Sequence, residues 1–495
     1  MPMLLLVSFY YFCNLLCLSV DVVEGFSTMG QKFGAPLKED EAVSQLSSKK
    51  KGKKRQNEKW SIIKDTFQNL LLDESFLLLP VRSTTVNAAM QYTTEADTPH
   101  LMPGTHKHLG GAYDPETGSI FGVPANSKCI LCLQPVWQDG SVTHYQPSVI
   151  SLPPEIADQK MKWLRGIVHN GYLWAIPSWA SAVLCVNLAT HQVELLPLPE
   201  EVHEQQNPWQ WHGGGMNPTK TAIYCIPSNA KHVLKVDMIT KTTSLVDIDI
   251  TAYPGMDLSI PNKWYGGIAG KDGCIYGIPY RAGAILQIDD QGARCVGPFY
   301  GLDRYNWHGG ICVDGSIYAH PSHANTVLVI DTNVSPPHIK ELPIQVHDDS
   351  IDITSQTYKW LGGAVGVDGN IYHPACDTSV VLKIDIKAQT CSTFGFAGES
   401  RNKWQGGLLA RDGCIYCIPA NGQHVLRIHT ANGRNEVQLL GDLPAHKDKW
   451  QGGSMGKDGC LYFIPENGYR VLKITPPGSM ASTPLREDDV RIEFV

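Results

Sequence analysis

Five histidines stand where this chain departs from its own regularity. His212 and His308 each sit directly before a glycine pair, His320 and His373 each directly before a proline, and His108 fills a position that is otherwise tryptophan. Neutral imidazoles converging on one cavity can hold a divalent metal, and that is the chemistry these residues offer. Apart from His320 and His323, which straddle one turn, none has a sequence neighbour at metal-ligand spacing. Convergence therefore depends on the fold, and dispersed structural histidines are the competing reading.

A second set is cationic. Lys162, Lys263, Lys359, Lys403 and Lys449 each precede a tryptophan, and Lys107 precedes His108. Gathered on one face of a ring, these ammonium groups form a positive mouth able to draw an anionic ligand. Paired one by one with neighbouring Asp or Glu, they are only structural. A third set occupies the second position after a recurring proline: Asn126, Asn229, Asn421 and Asn467, with Arg281, His323 and Cys376 in the same slot. Turn geometry accounts for asparagine there. It does not demand Arg281 or His323, so these two join the candidate ligand-binding residues. Signatures of other chemistries are missing. The chain has no Gly-x-Ser-x-Gly, no Gly-rich loop leading into Lys-Ser/Thr and no His-Glu-x-x-His.

The elements that must position these residues form a repeat. Counted from the residue before x-Gly-Gly or its equivalent, units start at His108, Trp163, Trp211, Trp264, Trp307, Trp360, Trp404 and Trp450, in steps of 43 to 55 residues. Each unit reads as four short strands. The first runs through the glycine pair, where glycine signals close backbone approach, and the tryptophan before it packs between neighbouring units. An Asp-Gly turn leads to Ile-Tyr-x-Ile-Pro. Asp272-Gly273, Asp314-Gly315, Asp368-Gly369, Asp412-Gly413 and Asp458-Gly459 are read as two-residue hairpin turns with positive φ at both positions. The third strand is Val-Leu-x-Ile-Asp and the fourth is variable. No βαβ alternation occurs. The pattern is that of an all-β protein, a β-propeller of eight four-stranded blades, or seven if one unit is degenerate. The last unit lacks a local fourth strand, which either residues 490–495 or residues 75–85 must supply.

Ahead of the repeats, residues 1–25 read as a signal peptide or signal anchor, residues 26–58 as a disordered basic linker, and residues 59–80 as an amphipathic helix lying outside the ring. This predicts the secretory pathway, and membrane contact only through the N-terminal segment if it stays uncleaved. The net charge of −7 and pI near 6.2 give no pull toward nucleic acid. Of fourteen cysteines, two fall in the leader, and the rest recur at equivalent repeat positions, too far apart for disulfides. They read as small buried apolar residues.

The units Lys403-Trp404-Gln405-Gly406-Gly407 with Ile415-Tyr416-Cys417-Ile418-Pro419, and Lys263-Trp264-Tyr265-Gly266-Gly267 with Ile275-Tyr276-Gly277-Ile278-Pro279, resemble a β-propeller repeat met in proteins of algae and other protists. The resemblance implies a fold and no reaction. The order differs from kelch, and the tryptophan-docking motif of quinoproteins is not matched. The leader, followed by Phe26 and a basic stretch, also resembles the two-part plastid presequence of algae with secondary plastids. The leading expectation is a non-enzymatic binding or scaffold module showing a Lys-, Asn- and His-bearing face to an anionic ligand, glycan or protein. The alternative is a hydrolase or lyase resembling gluconolactonase-like enzymes, with a His-lined metal. A purely structural secreted or cell-surface protein is the third class. No cofactor is expected apart from that metal.

Overall fold

In the computed structural model the described residues are 102, 104–203, 208–348, 350–431, 433–479 and 490–495. The leader, the basic linker and the expected helix at 59–80 lie outside them. The apolar alternation of each repeat folds into an antiparallel four-stranded unit. In the third unit, Trp211–Met216, Ala222–Pro227, Val233–Asp237 and Thr242–Val246 pair in chain order. Among the described residues such groups follow one another from His108–Tyr113 to Arg491–Phe494, four as separate four-stranded sheets and the rest joined into sheets of nine and eight strands. The fourth strand of the last group is supplied by the tail, where Leu472 pairs with Phe494 and Thr475 with Arg491. The last unit meets the first, and the ring closes through the Lys107 N–H donating to the Glu466 carbonyl at 3.0 Å. The arrangement is a β-propeller.

Burial follows strand position. The second strands are covered on both sides by neighbouring units, so Ala222–Pro227 is buried throughout, while the outer Thr242–Val246 alternates. Seams between units hold the core: Phe121 and Ile130 of the first unit pack with Trp163 and Leu184 of the second. All seven repeat tryptophans are fully buried. Each donates its indole N–H to a carbonyl of its own unit, as Trp264 does to Ala284 at 2.6 Å and Trp404 to His424 at 2.9 Å. Truncating one such indole costs about 3–5 kcal/mol.

The glycine pairs lie on the innermost strands, where units converge. A Cβ on Gly213 would collide with the Gly266 carbonyl of the next unit, so glycine there is a packing requirement.

The turns differ from expectation. Of the five pairs named above, positive φ at both residues occurs at Asp314-Gly315, but at the other four only the glycine takes it. Those loops are one residue longer. Around Asp272, for example, Gly270 donates to Cys274 and Gly273 to Gly270, a three-residue hairpin in which glycine alone needs the left-handed region. The aspartate is kept for a different reason. One carboxylate oxygen caps the N–H two residues on, and the other accepts the tyrosine hydroxyl: Tyr276 to Asp272 at 2.6 Å, Tyr372 to Asp368 at 2.8 Å, Tyr416 to Asp412 at 2.8 Å and Tyr462 to Asp458 at 2.7 Å. In the seventh unit Arg427 adds a buried ion pair to Asp412 at 2.9 Å.

The described cysteines are all free thiols, mostly buried. Burial raises their pKa, to about 12 for Cys185 and Cys460, as expected of inert apolar side chains. No helix among the described residues is long and apolar enough to cross a membrane.

Candidate functional site

The expected lysine mouth does not form. Lys107, Lys162, Lys263, Lys359, Lys403 and Lys449 are buried at the seams, each at most 3% exposed. Their ammonium groups are consumed by backbone. Lys403 donates to the carbonyls of Cys376 (3.1 Å), Thr378 (2.8 Å) and Ser400 (2.6 Å), and Lys162 to those of Ser127 (3.0 Å), Ala157 (3.3 Å) and Gln159 (2.9 Å). Lys359 donates to the His323 and Gln356 carbonyls, Lys263 to Ser228 and Ile260, Lys449 to Ala420 and His446, and Lys107 to Gly104. Burial pulls their pKa down, to about 8 for Lys403 and about 7 for Lys263. The carbonyl acceptors favour the ammonium form in return. These residues staple neighbouring units together and face no ligand.

The histidines do converge. The innermost strands enclose a channel of about 540 Å³, lined by the glycine pairs, His212, His308, His320 and Arg165. His212 and His308 follow the tryptophans of the third and fifth units, and their rings meet edge to face at 5.5 Å. Tyr265 occupies the same position of the fourth unit and stacks on His212 at 3.8 Å. Tyr280 stacks on Tyr265 at 4.4 Å, and Tyr305 lies 4.9 Å beyond it, so an unbroken ladder of rings climbs from the channel to its rim. His320 and His373 stand before their prolines, where six other units carry Val or Ile. They bond ring to ring, His320 Nδ1 to His373 Nε2 at 2.8 Å, leaving His373 Nδ1 buried without a partner.

Arg165 gives the site its charge. It occupies the first glycine position of the second unit, Trp163-Leu164-Arg165-Gly166, where all seven other units have glycine. Its φ is +66°, in the same left-handed region as Gly110 (+90°), Gly213 (+90°) and Gly309 (+74°). A side chain there costs roughly 1–2 kcal/mol. Among the described residues no carboxylate pairs with its guanidinium. Arg165 is exposed and His212 and His308 are half-buried where they line the channel, and the dense wall around them desolvates all three. Burial, then the charge of Arg165, holds the His308 pKa down at about 4. Burial, then His308 and Arg165, keeps His212 well below the ordinary imidazole value. Burial, then His373, His308 and Arg165, does the same to His320, and burial alone takes His373 to about 3. The lumen thus presents one fixed cation among neutral imidazoles.

That donor set does not fit a metal ion. Among the described residues no three or more of His, Cys, Asp and Glu gather as a coordination shell. The cation in the lumen opposes a second one. The remaining expected residues fall elsewhere. Arg281 donates to the Leu302 carbonyl at 3.2 Å and lies over Tyr305 at the rim, and His323 sits beside Tyr358 at 4.6 Å. His108 takes the buried tryptophan position, 3.3 Å from the Pro465 carbonyl, and does not line the channel. A larger cavity of about 830 Å³ at the first seam holds Lys107 and Lys128, whose ammonium groups are taken by Gly104 and Asp158. Arg165 and Tyr265 were missed from sequence, although the broken glycine pair of the second unit is a visible signal for the former.

No protein-family model matches the sequence, and no curated protein matches it. Solved structures do match. A streptogramin B lyase is 13% identical over 75% of this chain and 94% of its own, with a TM-score of 0.44. An extracellular domain from B. thetaiotaomicron is 11% identical over 76% of this chain and 52% of its own, with a TM-score of 0.41. Apo AztD from Citrobacter koseri is 9% identical over 68% and 88%, with a TM-score of 0.42. These are propeller-like proteins, distant in sequence, and the β-propeller assignment rests on the strand order of this chain.

Proposed function

We propose that the protein is a β-propeller binding module that takes a small anion, a carboxylate or phosphate, in its central channel. The observation that carries this reading is Arg165. It is a guanidinium with no carboxylate partner among the described residues, at a left-handed position where the other units carry glycine. Backbone strain of this kind persists where the surrounding structure enforces it and concentrates at functional sites. A planar guanidinium recognises carboxylate and phosphate oxygens two at a time. His212 and His308, which line the same channel, offer further polar contacts to such a ligand. Neutral imidazoles add hydrogen bonds without adding charge, so Arg165 supplies the positive charge that an anion meets there.

The test is thermal melting with inorganic phosphate and with succinate. The native protein gains stability in proportion to ln(1 + [L]/Kd). Arg165→Gln, which keeps the backbone strain and removes the charge, loses that gain. Equal gains in both proteins would remove the basis of the proposal. The hydrophobic leader supports entry into the secretory pathway, which imaging of a tagged full-length chain checks.

A further inference from the structure

The seams of the ring carry a second pattern at the rim. At four of them the residue two places after the recurring proline, and at a fifth the residue three places after it, accepts, through a side-chain oxygen, the backbone N–H that opens the next unit. Asn126 takes Met161 N (2.8 Å), Asn229 takes Asn262 N (2.7 Å), Asn421 takes Asp448 N (2.8 Å) and Asn467 takes His106 N (2.6 Å). Asp377, one place further on, takes Asn402 N (2.6 Å). At the other three seams the post-proline residue is Trp179, Arg281 or His323, none of which offers an amide or carboxylate oxygen. The partner position changes with it, to Trp209, Tyr305 and Tyr358. The replacements are therefore paired. Trp179 meets Trp209 edge to face at 6.3 Å, Arg281 lies 5.9 Å over Tyr305, and His323 meets Tyr358 at 4.6 Å. Tyr305 and His323, 5.5 Å apart, join the last two pairs into one strip.

Packing alone would bury such rings, yet Trp179 is 45% exposed and Tyr358 37%. Aromatic faces left in water beside a cation suit a partner that is flat, apolar on its faces and negatively charged at its edge. We propose that this side of the rim binds an acidic sugar chain, with one pyranose ring laid on Tyr358 and its carboxylate or sulfate group toward Arg281, and a further ring on Trp179, beyond the clamped Asn229 seam. No carboxylate among the described residues pairs with Arg281, so its charge is open to such a ligand. The residues differ from those of the channel, so this inference stands apart from the small-anion reading.

The experiment restores the residue that the clamped seams use. Trp179→Asn, Arg281→Asn and His323→Asn are compared with the native protein in electrophoresis through gels containing alginate, with dextran gels as the uncharged control. The proposal expects retardation by alginate and not by dextran, and apparent dissociation constants raised about 3- to 10-fold by each substitution. Melting temperatures should hold or rise, since asparagine restores the seam bond. Unchanged retardation in the triple variant, or equal retardation by dextran, overturns it. Arg165→Gly in the same gels keeps its retardation, which separates failure of this site from failure of the channel reading.

Discussion

Replacing Arg165 with glycine should make the ring more stable and abolish the anion binding proposed for the channel. Arg165 sits at φ +66°, in the region its glycine equivalents occupy. Relief of the left-handed conformation returns roughly 1–2 kcal/mol. Glycine gives back about 0.4–1 kcal/mol through the freer unfolded chain. The net is a gain of about 0–1.5 kcal/mol. At about 2 cal/mol/K of unfolding entropy per residue, a ring of this size shifts by about 1 °C per kcal/mol, so the variant should melt about 0–2 °C higher without ligand. Phosphate at 100 times its dissociation constant contributes about 2.7 kcal/mol to the native protein, about 3 °C, and nothing to the variant. The two melting curves should therefore cross in order as phosphate is titrated. Differential scanning calorimetry at fixed scan rate reads both quantities. A variant that melts several degrees lower without ligand would make Arg165 a structural residue. One that keeps the phosphate shift would refute the argument.

Other outcomes follow from the same geometry. Lys403→Ala strands three carbonyls and should cost about 2–5 kcal/mol in chemical denaturation, while retention on an anionic resin stays unchanged because the ammonium group is buried. His373 has a folded pKa near 3 against 6.5 unfolded, so its burial costs nothing above pH 6.5. As pH falls below that value, the unfolded state takes the proton first, and stability drops by about 2 kcal/mol by pH 5. Denaturant titrations of native protein and of the His320→Ile, His373→Ile double variant should show this slope flattened in the variant. Asp412→Asn removes the charge that pairs with buried Arg427 and should destabilise by about 3–5 kcal/mol. Asp314→Asn, in a turn with both residues at positive φ, should stay within about 0.5 kcal/mol on the same denaturant curve.

The fold was legible in the chain because its punctuation is backbone chemistry. Glycine pairs mark strands that touch, and a Cβ on Gly213 would indeed collide with the next unit. The lysines were misread because residue type argues for exposure. Their burial depends on carbonyls of two loops, such as Cys376 and Ser400 around Lys403, that only the seam brings together. The Asp-Gly turns were misread in a related way. The dipeptide signals a hairpin but does not report that Tyr416, four residues on, claims the Asp412 carboxylate. Of the site, the channel histidines were visible as departures from the repeat. Arg165 was equally visible as a missing glycine, but its meaning required the positive φ.

The stapled seams have a kinetic consequence. With an ammonium group tying each of six units to its predecessor or to its own entering loop, the inner strands have no low-energy way to slide, and the channel cannot widen or close around a guest. An anion bound as proposed finds Arg165 already in place. Little ordering entropy is then lost on binding, and capture proceeds in one step whose rate rises linearly with concentration and shows no plateau from a closing motion. Affinity differences among related anions should therefore appear in how fast they leave.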